Sequence, residues 1–404
     1  MKRDGAAGLG LVALLAAGTG CGPREADSSG AAIVTARDSA GIRIQELPAL
    51  GFPSRHPVAD LPDVILQVTG DTEPLYRVAS GFMLPDGTVA VADGGTHSVR
   101  VFDDGGKETR RLGRDGDGPG EFRDVTAAGL LLPDSVWVYD FLASRLTVFG
   151  PDGMARTVRV HADYPLRTVI GVLERQFLLI ESPVLGAASR EGLRRDSVRL
   201  IFVAAEDGSA IPFGTFSGQE ILVRIKASAN SVSVSKSDMP FSYSTRHAVT
   251  NGRVVSGETE RYELVFRSPR GRVRRILRAG REGYAIDGSL RHEYSRAAAE
   301  ELGDLALVAR LEGNLAKMPL HERGPAFTGL VAGGAPGHPT ELWVSLPSTP
   351  RDTLVTWVRH DDSGEISESV TLPASFKLLD LTPQLFLGVR QDELGVERIV
   401  AYRR

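Results

Sequence analysis

Gly81-Phe82-Met83-Leu84-Pro85-Asp86-Gly87-Thr88-Val89-Ala90-Val91-Ala92-Asp93 recurs, one turn residue shorter, as Gly129-Leu130-Leu131-Leu132-Pro133-Asp134-Ser135-Val136-Trp137-Val138-Tyr139-Asp140. Each copy passes through a short polar link into an alternating segment, Ser98-Val99-Arg100-Val101-Phe102 or Arg145-Leu146-Thr147-Val148-Phe149, and then into a turn ending at Gly106 or Gly153. The closing Asp, the closing Phe and the turn Gly all repeat at an offset of 47 residues. Each unit therefore reads as strand, Pro-Asp turn, strand, polar link, strand, Gly turn, strand, with period-two alternation throughout.

Four antiparallel strands recurring at about 45 residues are the pattern of a propeller blade. The aromatic that closes the third strand marks the more diverged units: after Phe102 and Phe149 come Phe202, Phe266, Trp357 and Tyr402. Six markers predict an all-β, six-bladed β-propeller. Their spacings are 47, 53, 64, 91 and 45 residues, so the fourth interval carries an insertion. Over residues 292–317, Tyr294, Ala298, Leu302, Leu305, Val308, Leu311 and Leu315 fall near a 3.6-residue period, which predicts one amphipathic helix, bent or broken near Gly303 and ended by Met318-Pro319. A helical insertion at about 290–318 follows. The Ser-rich stretch 228–244 reads as a long loop or an edge strand. The chain end supplies three strands for the last blade, so a fourth must come from the N-terminal side. Residues 64–68 are the expected closing strand, and 42–45 the runner-up or an extra edge strand.

The 404 residues are 42% hydrophobic and 24% charged, with 45 Gly, 23 Pro and one Cys, which excludes collagen-like, disulfide-scaffold and disordered classes. The net charge is −4 with both signs interspersed, so nothing points to a nucleic-acid partner. Lys2 and Arg3 precede an apolar run over 6–17 and the small residues Gly18-Thr19-Gly20, the layout of a cleavable export signal over residues 1–20. The run is too short for an ordinary membrane span. Cys21 follows at once, and in this setting the segment resembles the lipobox of bacterial lipoproteins, with Gly18 where an aliphatic residue is preferred. The resemblance implies diacylglycerol on the Cys21 thiol, a membrane as partner through that anchor, and an address on the bacterial envelope. Residues 21–36 then read as the lipidated N-terminus and tether, and 37–404 as the propeller.

Val91-Ala92-Asp93 to Val101-Phe102-Asp103, with Gly113-Arg114-Asp115-Gly116-Asp117-Gly118-Pro119-Gly120-Glu121-Phe122, resembles the NHL-type repeat of six-bladed propellers. In that pattern a strand ending Val-x-Asp leads through an Arg to Phe, and a Gly-rich link enters the next blade. The second unit keeps the arginine as Arg145, whereas the first has Ser98 there and the fourth has Gly257 in place of the Asp. Asp115, Asp117 and Glu121 lack the ligand spacing of a calcium loop, and the glycines account for the link as a tight turn.

Enzymes on six-bladed propellers, such as lactonases and amidating lyases, hold a divalent metal or a carboxylate–histidine cluster on the axis. The innermost strands expected here, 78–84, 125–131, 168–173, 247–250, 327–331 and 376–379, hold one histidine, His247, and no carboxylate. An axial metal is thus unsupported, no cofactor is expected, and no catalytic residue is assigned. Each inner strand begins near a basic residue: Arg77, Arg123, Arg167, Arg246, Arg323 and Lys377. A ring of such groups at one mouth would attract carboxylates or sugar acids. The sequence-level reading is a non-catalytic binding or scaffold module for a protein, a glycan or a small anion. The alternatives are a lactonase-like hydrolase or lyase, and an envelope assembly component docking through the helix.

Overall fold

Among the described residues, six sheets built on antiparallel meanders follow one another along the chain, and the innermost strand of each touches that of the next. These innermost strands are Val78–Met83, Val125–Leu131, Leu166–Leu173, Thr245–Thr250, Gly329–Ala335 and Lys377–Leu381, and the last returns to contact the first. The computed structural model describes residues 35–47, 64–68, 73–131, 134–162, 166–174, 176–181, 191–228, 231–392 and 394–404. Sheets 1 to 6 are named here in chain order. Cyclic contact between the inner strands of successive meanders is the defining property of a β-propeller, and the chain has that architecture.

The strands form where the sequence alternates and are buried on both faces where sheets stack. Val89–Asp93 and Ser98–Phe102 are buried at every position and pair from Asp93 opposite Ser98 to Val89 opposite Phe102. The Pro-Asp turn before them is closed by the Asp86 carboxylate, which accepts from the Thr88 N–H at 3.0 Å. All six aromatic markers lie on third strands: Phe102, Phe149, Phe202, Phe266, Trp357 and Tyr402.

One hydrophobic cluster fills each sheet-to-sheet seam. Phe82, Val99 and Val101 meet Phe122, Val125 and Val138 between sheets 1 and 2, and Val68, Leu387 and Ile399 meet Val78, Val91 and Phe102 between sheets 6 and 1. Among the described residues the cluster between sheets 3 and 4 is the smallest, with five buried residues, Leu173, Leu200, Phe202, Val249 and Val254, against thirteen between sheets 4 and 5 and thirteen between sheets 1 and 2. A cavity of about 510 Å³ opens beside it.

The sixth sheet closes as expected: Val64–Val68 pairs antiparallel with Glu397–Arg403, Val68 opposite Ile399 and Val64 opposite Tyr402. Ile42–Leu47 is not the closing strand but an extra edge strand, running parallel to Val273–Ala279 with Arg43 opposite Arg275, and Thr35–Ser39 pairs outside it. Gln45, fully buried, donates from Nε2 to the carbonyls of Asp362 and Ser363 in a turn of sheet 5, which seats the pair of strands.

The insertion breaks at Gly303 and the Ser-rich stretch forms an edge strand, both within the expected alternatives, while the apolar stripe and the end of the sixth inner strand are corrected. The helical insertion is two helices, α1 (Gly288–Glu301) and α2 (Val308–Leu315), because Gly303 at φ +72° turns the chain between them. α1 starts earlier than expected because the Asp287 carboxylate caps it, accepting from the Leu290 N–H at 2.9 Å; Leu302 and Leu305, expected on one apolar stripe, are mostly exposed. The Ser-rich stretch contributes an edge strand, Ser231–Asp238, paired with the distal half of the 19-residue strand Ala210–Ser228, so sheet 3 flares beyond the ring. The sixth inner strand extends to Leu381, and with it Asp380, an acidic side chain, reaches the channel. None of the helices among the described residues is long and apolar enough to cross a membrane.

Candidate functional site

The loops that enter the inner strands are pinned by the aspartates of the Val-x-Asp motif. Asp140, fully buried, accepts from the N–H groups of Arg123 at 2.9 Å, Asp124 at 3.2 Å and Ala143 at 3.0 Å. Asp93, also fully buried, accepts from Gly95 at 2.9 Å and Tyr76 at 3.3 Å. Each is matched by an arginine. Arg145 directly opposes Asp140 and reaches its Oδ2 at 3.2 Å; in sheet 1, where Ser98 takes that place, Arg100 two residues on points to the same face and reaches Asp93 Oδ2 at 3.0 Å. The motif's function here is thus structural, and the departure at Ser98 is repaired by the next same-face residue.

The link from sheet 1 to sheet 2 also satisfies its own charges. Glu121 accepts from Arg114 at 2.7 Å and from the Gly118 N–H at 2.8 Å, Asp117 pairs with Arg123, and Asp115 with His97 at 2.9 Å. Arg114–Asp115 pairs in parallel with Glu121–Phe122, a small tie that needs Gly113 at φ +82°.

The six basic positions meet different fates. Arg77, itself at φ +56°, donates to Asp124 at 3.0 Å, at the entry to sheet 2. Arg123 is held by Asp117, which lowers the carboxyl's pKa through the guanidinium hydrogen bond. Arg323 pairs with Glu282 at 2.9 Å and donates to the Gly283 carbonyl at 3.1 Å, turned toward the insertion. Lys377 is exposed. Arg167 and Arg246 come together, lining one cavity of about 510 Å³ between sheets 3 and 4. Neither has an acidic ion partner among the described residues; Arg246 Nε donates to the Thr328 carbonyl at 2.8 Å.

The flared hairpin of sheet 3 forms the other wall of that cavity with Asp196, Gln219, Lys236, Ser237 and Asp238. These residues escaped sequence reasoning; the period-two alternation of Ser and Val over 231–235 was the available signal. Behind the cavity, Glu220 Oε2 accepts from the Tyr243 N–H at 2.8 Å and bonds His321 Nε2 at 2.9 Å, and the Tyr243 and His321 rings stack at 4.2 Å. The segment following α2 is thereby tied to the cavity wall at Ser244-Thr245.

His247 sits on the inner strand with its ring edge-on to Phe216 at 5.0 Å and Nδ1 bonded to Ser256 Oγ at 3.0 Å. Burial, then the Arg267 and Arg246 charges, push its pKa down to about 4, so the ring is neutral at pH 7. Its Nε2, with Ser237 Oγ and Thr245 Oγ1, is buried with no hydrogen-bond partner among the described residues, and all three residues line the same cavity. No group of three or more His, Cys, Asp or Glu side chains suited to a metal occurs among the described residues. Cys21 and the expected export signal lie outside the described residues.

The class that sheet order and cyclic closure define is the β-propeller. No family model matches the sequence, and no curated protein does. Solved structures similar in outline include a Bacteroides fragilis protein whose name describes it as exported (9% identity, TM-score 0.49, 89% of this chain and 99% of that one). A member of the DUF4221 family from Bacteroides vulgatus (10%, 0.48, 85% and 98%) and virginiamycin B lyase from Staphylococcus aureus (8%, 0.40, 82% and 98%) are further examples. All three fall below a TM-score of 0.5, and the fold assignment rests on the sheet order of this chain.

Proposed function

We propose that this chain is an exported, six-bladed propeller of NHL-like type, tethered to the bacterial envelope by a lipid on Cys21, that binds a small anionic ligand such as a sugar acid without transforming it. The observation that carries the reading is the cavity between sheets 3 and 4. Arg167 and Arg246, two guanidiniums without acidic partners among the described residues, and Lys236 face a space of about 510 Å³, within the range of small-molecule sites. Around them, Ser237 Oγ, Thr245 Oγ1 and His247 Nε2 are buried without partners among the described residues, and a ligand rich in hydroxyls and carboxylate oxygens would satisfy them. Neutral His247 can accept or donate at Nε2, and the arginines supply charge and bidentate geometry for a carboxylate. Asp196 and Asp238 also line the cavity and would disfavour a polyanion.

The test is a thermal-shift and calorimetric titration with galacturonate and galactose, on the unmodified chain and on Arg167→Ala/Arg246→Ala. Stabilisation by galacturonate only, abolished in the double variant, supports the reading. Equal responses to both sugars, or to both proteins, refute it. Membrane fractionation tests the anchor separately: Cys21→Ser should move the protein from the membrane to the soluble fraction.

A further inference from the structure

The inner strands all run the same way along the axis, so their ends converge on the mouth opposite Arg77 and Arg123. A second cavity of about 170 Å³ opens there, walled by Phe82, Trp137, Val172, Ala332 and Pro339. Among the described residues its lining contains one charged side chain, Asp380. The strand register slips by one residue between Leu378 and Asp380, a bulge of the kind that re-aims a side chain. Asp380 Oδ2 accepts from the Met83 N–H at 3.0 Å, and Oδ1 from the Leu381 N–H at 2.8 Å. Among the described residues no cation pairs with it. Burial pushes its carboxyl pKa up, while the two backbone donors favour the charged form.

A carboxyl group fixed in an apolar lining with no cation paired to it among the described residues is a recognition element for a cation, whose charge would hold it ionised. The rest of the wall suits an organic one. Gly129 carries no Cβ, which would stand 2.9 Å from the Trp137 indole, so the ring lies flat across the inner strand with its Nε1–H spent on the Leu130 carbonyl at 3.2 Å. Gly333, beside Leu381, likewise keeps the wall thin. What remains is an aromatic and aliphatic pocket with a carboxylate at one side, which matches an ammonium group on a short hydrocarbon body. A hydrated metal ion is a poorer match, since one carboxylate supplies too few oxygen ligands.

We propose that this mouth is a binding site for small organic ammonium ions, with Asp380 as the counter-ion and Trp137 against the hydrocarbon body. It is separate from the cavity at the other mouth and selects the opposite charge.

The probe is n-butylammonium, titrated against the chain labelled with ¹⁵N at its indoles, with the Trp137 resonance assigned through Trp137→Phe. n-Butanol and butyrate at matched ionic strength are the neutral and anionic controls. The expected result is a saturable shift of the Trp137 resonance with butylammonium, a midpoint at least tenfold higher for butanol, and none for butyrate. Asp380→Asn should raise the butylammonium midpoint at least tenfold, and Ala332→Leu, which fills the pocket without touching the charge, should abolish the shift. The proposal is overturned if butanol or butyrate matches butylammonium, if neither variant changes the midpoint, or if Trp137 does not respond. Should Asp380→Asn fail to fold, Ala332→Leu and the three-probe comparison on the unmodified chain decide.

Discussion

Arg100 is a fully buried, paired guanidinium, and Arg100→Met should be among the costlier single substitutions in the ring. The side chain is 0% exposed, as is its partner Asp93. Its Nη1 bonds Asp93 Oδ2 at 3.0 Å and the Glu73 carbonyl at 2.9 Å, and its Nε bonds Glu108 Oε2 at 2.8 Å. Methionine keeps most of the volume but strands the Asp93 carboxylate in the interior with only backbone donors from Gly95 and Tyr76. Breaking one side of a buried pair costs about 3–5 kcal/mol. Arg145→Met is the internal control: Arg145 is 16% exposed, and Asp140 keeps three backbone donors, so a loss of about 1–3 kcal/mol follows. Urea unfolding followed by circular dichroism, with the slope checked for constancy, measures both. In a cycle with Asp93→Asn, the double variant should lie at least about 1 kcal/mol closer to the parent than the sum of the singles. A cost below about 1 kcal/mol for Arg100→Met, or an additive cycle, would refute the argument that the pair holds sheet 1 together.

Other outcomes follow from the same geometry. Tyr262 donates its hydroxyl to His360 Nε2 at 2.6 Å while His360 Nδ1–H donates to the Gly364 carbonyl at 2.9 Å, so the ring is held neutral and burial pushes its pKa down to about 4. The unfolded chain, with a histidine near 6.5, takes up the proton first, so this contribution is whole above pH 6.5 and is lost as pH falls toward 4. It amounts to up to about 3 kcal/mol, and His360→Gln should flatten the pH dependence of the urea midpoint. Gly113→Ala places a Cβ 2.2 Å from the Phe122 ring at a positive φ and should cost about 2–4 kcal/mol, whereas Gly120→Ala, with its nearest contact at 3.5 Å, should cost about 1 kcal/mol; thermal melts compare the two. Arg404→Ala removes a guanidinium that bonds Glu368 at 2.6 Å and Glu341 at 2.9 Å and lies 5.1 Å over the Trp343 ring, and should lower stability by about 1–3 kcal/mol with a change in tryptophan emission.

The strand repeat was legible because its causes are local. Period-two alternation, the Pro-Asp turn at 85–86 and the turn glycines Gly106 and Gly153 each act within a few residues, and their recurrence at 47 residues exposes the unit. The closing strand at 64–68 could be found because the last unit lacked a fourth strand, a deficit visible by counting. The flare of sheet 3 was harder. Its strands Gly192–Ala204 and Ala210–Ser228 run far past the usual blade length, and only their mutual pairing, from Val203 opposite Ala210 to Gly192 opposite Val223, makes sense of the Ser-rich stretch beyond them.

The sites depended on contacts between residues far apart in the chain. Six basic residues at equivalent places looked alike in sequence, yet Arg77, Arg123 and Arg323 are occupied by Asp124, Asp117 and Glu282, while Arg167 and Arg246 share a cavity. That difference follows from which carboxylates the neighbouring loops bring within reach of each guanidinium, which no single segment encodes. Asp380 lay one residue beyond the expected end of its strand, and its entry into the channel depends on a register slip against Leu387 and on the Met83 N–H of the first sheet. The order of strands, the repeat and the closing element were thus determined by the sequence itself, through alternation and turn chemistry that operate over a few residues. Which charges are neutralised, where the ring leaves space and which carboxylate faces the axis were decided only when the last sheet met the first, because pairing partners and packing volume exist only in the closed ring.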